Sequence, residues 1–342
     1  MDEKNIRRKN TIKQMNYYSL DYGSINAGDW IQSLATLQFY PEVTHTINRD
    51  NGRLDRTNNI FQNDEESFMI YNGWTNTAVG DFSYLEKMKN ILPISVNLQP
   101  KCFDEMPNFF KTNEVGLRDI NSYDKLKEIN TESYFSSCLT LLLKSNKVKN
   151  KTGKIIINEL DRMWNGDGPV SQMGKDNLNK FKKDFIYETP SDQYYNNMKG
   201  RIPKNILDNA IFTDHDIYEL REGSYKDSMK TCVRLLDEYN NADLVITSRL
   251  HTALPCLALD TPVIFIWWEG DWRLKGLSSL FKNFYDISKY SNSQINYDLF
   301  ENKDINQFNH LKESMLNKIE KFMLKSNLNF EYNSYEKIID KL

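Results

Sequence analysis

Two fully apolar runs, separated by a polar turn and a helix-like stretch, form the clearest pattern in the chain. The first run covers residues 244–246, the turn after it contains Arg249 and His251, and the second run covers residues 262–266. Short apolar runs bounded by polar turns are typical of buried strands, and two parallel strands need a crossover between them, usually a helix. The pattern therefore predicts a strand–helix–strand unit of a parallel sheet, with both side chains directly after the first strand.

The N-terminal half shows a similar alternation of strand-like and helix-like segments. Strands are predicted at 17–23, 67–71, 91–98 and 134–143, and a further strand ends at 115–119, where a helix begins. A turn at 26–29 precedes apolar residues spaced i, i+3, i+4 from Ile31, and this spacing predicts a helix. We assign the N-cap of this helix to Asp29, because Gln32 three residues later nearly completes a capping box.

The C-terminal half begins after a polar, basic stretch at 146–152 that has no apolar periodicity. Strand and helix patterns then alternate again, with strands at 154–160 and 210–213 and helices at 224–239 and 311–323. Two successive α/β halves predict an α/β protein with two Rossmann-like domains that face a cleft. We assign residues 1–150 to the N-terminal domain, residues 151–310 to the C-terminal domain with the Ser-Arg-Leu-His motif, and residues 311–342 to C-terminal helices that pack back on the N-terminal domain.

Length and composition restrict the class of protein. A chain of 342 residues is long for one core, which agrees with two domains. The net charge of -3 gives no basic surface for nucleic acid. The longest apolar run, at 262–268, is far shorter than the roughly 20 residues that a membrane helix needs. The charged N-terminus has no secretory signal, so we expect a cytoplasmic protein without transmembrane segments, peripheral to the membrane where lipid-linked glycans are made.

Cysteine and acidic residues give no metal site. The four cysteines are widely spaced, and we interpret them as buried thiols of a reducing compartment. Glu269 and Asp271 follow a buried strand together with Arg273, but no histidine or second carboxylate cluster lies at a fixed spacing from them. We therefore predict no metal ion and no cofactor.

Positively charged side chains follow two of the predicted strands. Ligands of parallel sheets bind at the carboxyl ends of the strands, and Arg249, His251 and Arg118 all fall there. An arginine offers a fixed fork for a carboxylate or a phosphate, and a histidine can exchange a proton near neutral pH. Ordinary surface or capping roles remain the alternative for Arg249 and His251, and an ion pair with Asp119 remains the alternative for Arg118.

The helix start at 26–29 is a further candidate. Asn26, Gly28 and Asp29 lie where free main-chain N–H groups and the helix dipole favour an anion, although a pure capping role is also open. Farther along the chain, the hydroxyls of Ser136 to Thr140 can bind a sugar or a phosphate. Cys138 among them lies in an apolar run and is better interpreted as core.

Taken together, these segments resemble the polysaccharide pyruvyl transferase family. The stretches that carry the resemblance are 26–35, 72–74, 116–119, 134–141, 242–266 and 273–277. The Thr-Ser-Arg-Leu-His sequence at 247–251, with the apolar run after it, is the most specific of them. The resemblance implies a fold like that of two-domain GT-B glycosyltransferases. It also implies transfer of the pyruvyl group of phosphoenolpyruvate onto sugar hydroxyls, which gives a pyruvate ketal.

The same resemblance assigns roles to particular residues. It implies that Arg249, Leu250 and His251 bind the donor and that Arg118 is the arginine of the family's Gly-x-Arg-Asp segment. The chain departs from the family at Ser137, where a glycine is expected, at Leu117, where cysteine is common, and at Leu142, where threonine is expected. Ser137 adds a hydroxyl and a Cβ at a tight turn, which affects the choice of acceptor if that turn contacts a ligand.

These assignments combine into one mechanism. Phosphoenolpyruvate carries a phosphate and a carboxylate, so its site needs clustered cations, and Arg249, Arg118 and Arg273 are the candidates. His251 is the candidate general acid or base, a role worth roughly 10²–10⁴-fold in rate. The remaining assignments are Asn26, Gly28, Asp29 and Leu250 for the donor, and Trp74, Ser137, Thr140 and Trp268 for the sugar or glycan acceptor.

Two other functions stay open at this point. A GT-B-like glycosyltransferase with a nucleotide-sugar donor would use the same cationic cleft, with Glu269 or Asp271 as the carboxylate that binds the ribose. A non-catalytic glycan-binding protein would use the tryptophans at 267, 268 and 272 to stack on sugars. The pattern does not determine the oligomeric state.

Overall fold

Parallel strands organise both halves of the molecule. The computed structural model describes residues 15–150, 153–160, 185–187, 196, 198–289, 295–297, 303–325 and 330–342. Within these residues there are a four-stranded sheet, a six-stranded sheet and two short two-stranded sheets. The predicted α/β class is therefore confirmed. We refer to residues 15–150 as the first half and to the described residues from 153 to 289 as the second half.

The first half is built around the four-stranded sheet, whose strand order is β2-β1-β3-β5 and whose strands are all parallel. Its strands and their short companions are β1 (Asn16–Asp21), β2 (His45–Asn48), β3 (Asp64–Tyr71), β4 (Trp74–Thr75), β5 (Met88–Pro93), β6 (Asn97–Leu98), β7 (Gly116–Leu117) and β8 (Tyr134–Phe135). Its helices are α1 (Ala27–Leu37), α2 (Lys101–Asp104), α3 (Asn108–Thr112) and α4 (Ile120–Lys127).

The second half is built around the six-stranded sheet, whose order is β10-β11-β9-β12-β13-β14 with only β10 antiparallel. Its strands are β9 (Ile155–Asn158), β10 (Ile186–Tyr187), β11 (Ala210–Thr213), β12 (Leu244–Thr247), β13 (Val263–Trp267) and β14 (Phe284–Asp286). The described helices are α5 (Lys204–Leu207), α6 (Glu219–Glu222), α7 (Tyr225–Asn241), α8 (Leu250–Ala258) and, nearer the C-terminus, α9 (Ile305–Leu324). The predicted unit β12-α8-β13 is confirmed.

Both larger sheets have the same kind of switch point. β1 lies between β2 and β3, and β9 lies between β11 and β12, so successive crossovers leave the starting strand in opposite directions. Crevices in α/β sheets open where this reversal occurs, outside the carboxyl ends of the strands. The loops that follow β1, β3, β9 and β12 are therefore the places where the fold favours a ligand.

The strands of the second sheet are apolar throughout because both faces of the sheet are buried. Parallel register places Val245 beside Ile156 and Val263, and these three residues belong to the larger hydrophobic core. Their chain neighbours Ile246 and Ile264 face the opposite side and belong to a second, smaller core. Successive strand residues alternate between the faces, so a sheet covered on both sides reads as a continuous apolar run.

Helix α1 joins the two halves through shared packing. All of its residues except Asp29 are buried, and it packs against α7 and α8 of the second half. Trp30 lies 5.9 Å from the ring of Tyr225, and the Tyr225 hydroxyl is 2.6 Å from the hydroxyl of Ser19 on β1. A helix that is buried on every side belongs in a core, and here the larger core runs through both halves.

The C-terminal residues also contact the first half. Phe322 of α9 stacks on Phe68 of β3, with ring centroids 4.4 Å apart. Tyr332 stacks on Phe39 at 5.1 Å, and the main-chain N–H of Asn333 donates to the Gln38 carbonyl at 2.9 Å. Helix α9 starts before the predicted boundary at residue 311, so the boundary falls within a helix.

Two predicted strands are shorter in the structure because a serine interrupts each of them. The strand predicted at 134–143 ends with β8 and is followed by a 3-10 helix at Leu139–Leu142. The strand predicted at 91–98 divides into β5 and β6. Ser137 and Ser95 have φ values of 64° and 62°, and left-handed backbone cannot continue a strand.

The predicted cap of α1 at Asp29 was wrong. Asn26 is the N-cap, since its side-chain oxygen accepts the N–H of Gly28 at 3.0 Å. Asp29 lies in the first turn, where a negative charge suits the helix dipole.

Two further observations concern the described residues as a whole. Each of the four cysteines is buried, as predicted, and none forms a disulfide. No helix in the described ranges combines the length and the apolar character needed to cross a bilayer.

Gly276 lies in the loop after β13, against the first half, and we expect its replacement to destabilise the fold. Its φ is +87°, and a Cβ would lie 2.4 Å from Cγ1 of Ile120. Gly276→Ala should therefore lower the free energy of unfolding by about 2 kcal/mol or more, measured by urea denaturation. Gly200→Ala is the control, because its φ is +80° but a Cβ there would meet no described atom within 4 Å. An equal loss in both variants would show that the contact with Ile120 contributes nothing.

Candidate active site

A cavity of about 380 Å³ lies where the carboxyl ends of strands from both halves meet. Nine of the residues that the sequence assigned to the catalytic, donor or acceptor site line it: Asn26, Gly28, Asp29, Trp74, Arg118, Arg249, Leu250, His251 and Arg273. They come from segments up to about 250 positions apart in the chain, and the fold brings them together at one crevice.

The first turn of α1 forms one wall and is tied directly to the second half. The N–H of Ala27 donates to the carbonyl of His215 at 2.7 Å, and the N–H of Ile217 donates to the carbonyl of Ile25 at 2.7 Å. Asn26 and Asp216 form an isolated antiparallel bridge between these bonds. The helix N-terminus is thereby fixed against the loop that follows β11.

Gly28 allows the histidine to approach this helix. A Cβ at position 28 would lie 2.9 Å from Nδ1 of His251, which is closer than real side chains permit. The glycine therefore lets the imidazole lie directly against the first turn of α1.

Arg118 follows β7 and is a buried cation with no carboxylate among the described residues within ion-pair distance. The residue is 4% exposed. Nη1 donates to Oε1 of Gln32 at 3.2 Å and lies 3.4 Å from Nε2 of His251, while Nε has no hydrogen-bond partner in the described part of the chain. Burial lowers the pKa of Arg118 from its usual value. The alternative of an ion pair with Asp119 is not what the structure contains, because Asp119 caps α4 and accepts from Ser122.

His251 is held as a neutral imidazole. A guanidinium only donates hydrogen bonds, so Nε2 of His251 must accept from Arg118, and the ring proton is on Nδ1. Burial, and then the positive charges of Arg118 and nearby cations, hold the pKa of His251 well below its ordinary value. At neutral pH this histidine therefore carries only the proton on Nδ1 and is able to take up a second one.

Arg249 is the N-cap residue of α8 and is bound by two carboxylates. Its Nε pairs with Glu159, and Nη2 lies 3.2 Å from Oδ1 of Asp216. Burial alone would lower the pKa of Arg249, but these two carboxylates outweigh it and raise the pKa. Part of the guanidinium fork is thus used within the protein, and Nη1 has no hydrogen bond in the described structure.

Arg273 lies at the rim and pairs with Asp271. Nη2 is 2.6 Å from Oδ2 of Asp271, and the arginine side chain is 45% exposed. Asp271 also accepts the indole N–H of Trp267 at 2.8 Å. Burial would raise the pKa of Asp271, but Arg273 outweighs it and lowers the pKa. Among the described residues, no group of three His, Cys, Asp or Glu side chains could hold a metal ion.

Sequence analysis did not identify Arg49, which lines the same cavity. It is buried, it lies 3.3 Å from Asp29 and 2.8 Å from Asp50, and its guanidinium lies over the rings of Tyr22 and Trp74. The available signal was its position directly after β2, a strand that the apolar pattern did not reveal.

Gln32 and His215 were also missed as lining residues. His215 follows β11 by two positions, and its Nε2 lies 2.7 Å from the hydroxyl of Thr252. Gln32 reaches the cavity from the second turn of α1, and its spacing in the sequence indicates only a position on a helix. Trp267, the last residue of β13, also lines the cavity, whereas the sequence indicated it only as one of three tryptophans of a glycan-binding alternative.

Three of the predicted acceptor residues do not line the cavity. Trp268 is 55% exposed. Thr140 is buried, with its hydroxyl 3.1 Å from Sγ of Cys138. Ser137 is fully buried and its hydroxyl has no partner. Its φ of 64° is the left-handed conformation that favours glycine, which accounts for the glycine expected at this position.

Comparison with known proteins bears on the identity of this site. The model of a family described as polysaccharide pyruvyl transferase matches residues 26–270. The chain belongs to this family. The match begins at the cap of α1 and ends after β13, so it includes the segments that surround the cavity, and it confirms the resemblance drawn from the sequence.

Other comparisons add little about function. No curated protein matches the chain. A solved structure of an uncharacterised protein from Klebsiella pneumoniae subsp. pneumoniae NTUH-K2044 is similar at 14% identity, with a TM-score of 0.38, over 73% of this chain and 83% of that chain. A likeness this distant carries no argument about the site.

The lowered pKa of His251 should make stability depend on pH. In the unfolded chain this histidine takes up a proton below about pH 6.5, whereas in the folded protein it stays neutral, so stability should fall as the pH falls from 7 to 5. The loss attributable to one such group reaches as much as about 2 kcal/mol at pH 5. In His251→Asn the fall should be smaller, measured by urea denaturation at both pH values. Equal pH dependence in the two proteins would contradict the lowered pKa.

Proposed function

We propose that this protein transfers the pyruvyl group of phosphoenolpyruvate onto two hydroxyls of a sugar in a glycan, with release of phosphate and formation of a pyruvate ketal. Membership of the polysaccharide pyruvyl transferase family supports pyruvyl transfer. The single structural observation that carries the proposal is Arg118, which is buried beside His251 in the cavity and forms no ion pair with a described carboxylate.

The charge pattern of the cavity supports an anionic donor. Arg49, Arg249 and Arg273 are each ion-paired with one or two carboxylates, so much of their charge is already balanced. Arg118 has no such partner within 4 Å in the part of the chain that the structure describes, and the N-terminus of α1 adds a partial positive charge nearby. We assign the phosphate or the carboxylate of phosphoenolpyruvate to Arg118, with Nη1 of Arg249 and the rim cation Arg273 as further contacts.

The chemistry requires a group that exchanges protons at the donor. One sugar hydroxyl attacks C2 of the enolpyruvyl group and loses its proton while C3 gains one. Phosphate then leaves from C2, and a second hydroxyl attacks C2, loses its proton and closes the ketal. His251 is neutral before the donor binds, and an anion beside it raises its pKa because opposite charge favours the protonated form. We assign the proton transfer to His251, and this scheme uses no metal and no cofactor.

The acceptor sugar needs an apolar platform beside the donor. Trp74 from the first half and Trp267 from the second both line the cavity. Trp267 is held by its hydrogen bond to Asp271, and the ring of Trp74 packs against Arg49. We propose that these two rings contact the acceptor, because indole faces bury large apolar areas in a fixed orientation.

We also infer that the halves correspond to two Rossmann-like domains in a GT-B-like arrangement. The strand order with the first strand between the second and third supports this for each sheet, and the cavity between their carboxyl ends supports the arrangement. The assignment of residues 1–150 and 151–310 to these domains, with residues 311–342 as a C-terminal extension, belongs to the same proposal.

Phosphate release tests the function directly. The protein is incubated with phosphoenolpyruvate and a panel of aryl and lipid-linked glycosides, and NMR follows any new ketal methyl group. We expect phosphate and ketal to appear in equal amounts, only when the acceptor is present, and equally in EDTA. Turnover that requires a divalent ion together with a nucleotide sugar, and none with phosphoenolpyruvate, would overturn the proposal in favour of glycosyl transfer.

Replacement of Arg118 tests the donor site separately from catalysis. Arg118→Gln removes a buried charge, so phosphoenolpyruvate affinity measured by calorimetry should fall at least about tenfold, in line with a lost charge-assisted hydrogen bond. Stability should hold or rise, because an unpaired buried charge costs free energy.

Arg221→Gln is the control for the loss of one positive charge, since Arg221 is exposed, pairs with its neighbour Glu222 and does not line the cavity. Its affinity for phosphoenolpyruvate should match the unaltered protein. If Arg118→Gln binds phosphoenolpyruvate as tightly as the unaltered protein does, Arg118 is not part of the donor site.

A further inference from the structure

Glu159 directly follows β9, the strand at the switch point of the second sheet. Its φ is 43°, a conformation that non-glycine residues seldom adopt and that is concentrated at functional sites. Its side chain is only 6% exposed. Glu159 lies outside every motif identified from the sequence.

Both carboxylate oxygens of Glu159 accept hydrogen bonds, and they do so from different segments. Oε1 accepts the main-chain N–H of His215 at 2.7 Å and that of Asp216 at 3.2 Å. Oε2 pairs with Nε of Arg249. The main-chain carbonyl of Glu159 accepts a hydrogen bond from the hydroxyl of Ser248. One residue therefore ties the end of β9 to the loop after β11 and to the turn after β12.

The loop that Glu159 holds is the same loop that contacts the first half. His215 accepts from Ala27, and Ile217 donates to Ile25, which places the first turn of α1 against this loop. The buried carboxylate is thus connected on one side to Arg249 and on the other to the helix N-terminus at the cavity.

We propose that Glu159 is a positioning residue of the donor site. Its carboxylate holds Nε of Arg249 so that the rest of the guanidinium faces the cavity, and it orders the 215–217 loop against α1. The contact of Arg249 with the donor rests on the proposed function, whereas the ordering of the loop does not.

The chemistry of this contact requires a carboxylate and not merely a side chain of this shape. A glutamine has one accepting oxygen and one donating NH₂ group. In Glu159→Gln the NH₂ group must face either the main-chain N–H groups of 215 and 216 or Nε of Arg249, and both are donors. The substitution is nearly isosteric, but in either orientation of the amide one hydrogen-bond donor faces another.

Asp216 supplies a matched control. It also contacts Arg249, at 3.2 Å, but its side chain is 34% exposed. Asp216→Asn removes the same charge from the same guanidinium without touching the carboxylate that binds the loop. By Coulomb's law alone both variants should favour an anionic ligand to a similar degree, so a difference between them reports on positioning.

The test compares the two variants in the full chain by hydrogen exchange and by calorimetry with phosphoenolpyruvate. Glu159→Gln should speed amide exchange in peptides that cover 213–217 and 24–28 by at least tenfold and should weaken phosphoenolpyruvate binding by about tenfold or more. Asp216→Asn should change both by less than about threefold. Glu159→Asp keeps the charge on a shorter side chain, should give intermediate values, and replaces the glutamine variant if that one does not fold.

Each result decides part of the inference. Exchange and affinity in Glu159→Gln that match Asp216→Asn would overturn the proposal, and faster exchange with unchanged affinity would overturn the role toward Arg249. If the unaltered protein does not bind phosphoenolpyruvate, the proposed function fails, and the exchange comparison alone then decides whether Glu159 orders the loop.

Discussion

The burial of α1 between the two halves is the constraint on which the rest of the structure depends. Its apolar residues belong to a core shared by both sheets, so the helix cannot move without exposing a large apolar surface, at roughly 25 cal/mol for each Å². Its N-terminal turn is therefore fixed at the crevice, where Asn26 caps it and Gly28 admits His251. The packing of one helix thus sets the geometry of the cavity wall.

Within that wall, charge is balanced unevenly. Among the described residues, Arg49, Arg249 and Arg273 have carboxylate partners within 4 Å, and Arg118 has none. A buried cation without a close counter-ion costs stability. Burial, and then the positive charge of Arg118, hold the pKa of His251 well below its ordinary value. The unbalanced charge of Arg118 therefore contributes to keeping the imidazole neutral.

Much of this molecule follows from local pattern. The segment from 244 to 266 predicted β12, α8 and β13, because strands buried on both faces are continuously apolar, whereas the helix between them shows helical spacing of its apolar residues. Helical spacing of apolar residues also predicted α7. Strand ends also directed attention to Arg118 and Arg249, since parallel strands present their carboxyl ends at one edge. The family resemblance rested on these same segments, spread in order from residue 26 to residue 277.

Other features were decided only by tertiary structure. Left-handed backbone at Ser95 and Ser137 divides two predicted strands, and a serine in the sequence does not indicate that conformation. Arg49 lines the cavity and Glu159 binds Arg249 from a distant part of the chain, and neither belongs to a motif recognised in the sequence. The sequence determined which segments form strands and helices, because burial periodicity is local. Tertiary structure decided which charges are balanced, because the partner of a charged side chain depends on what the fold brings within a few ångströms of it.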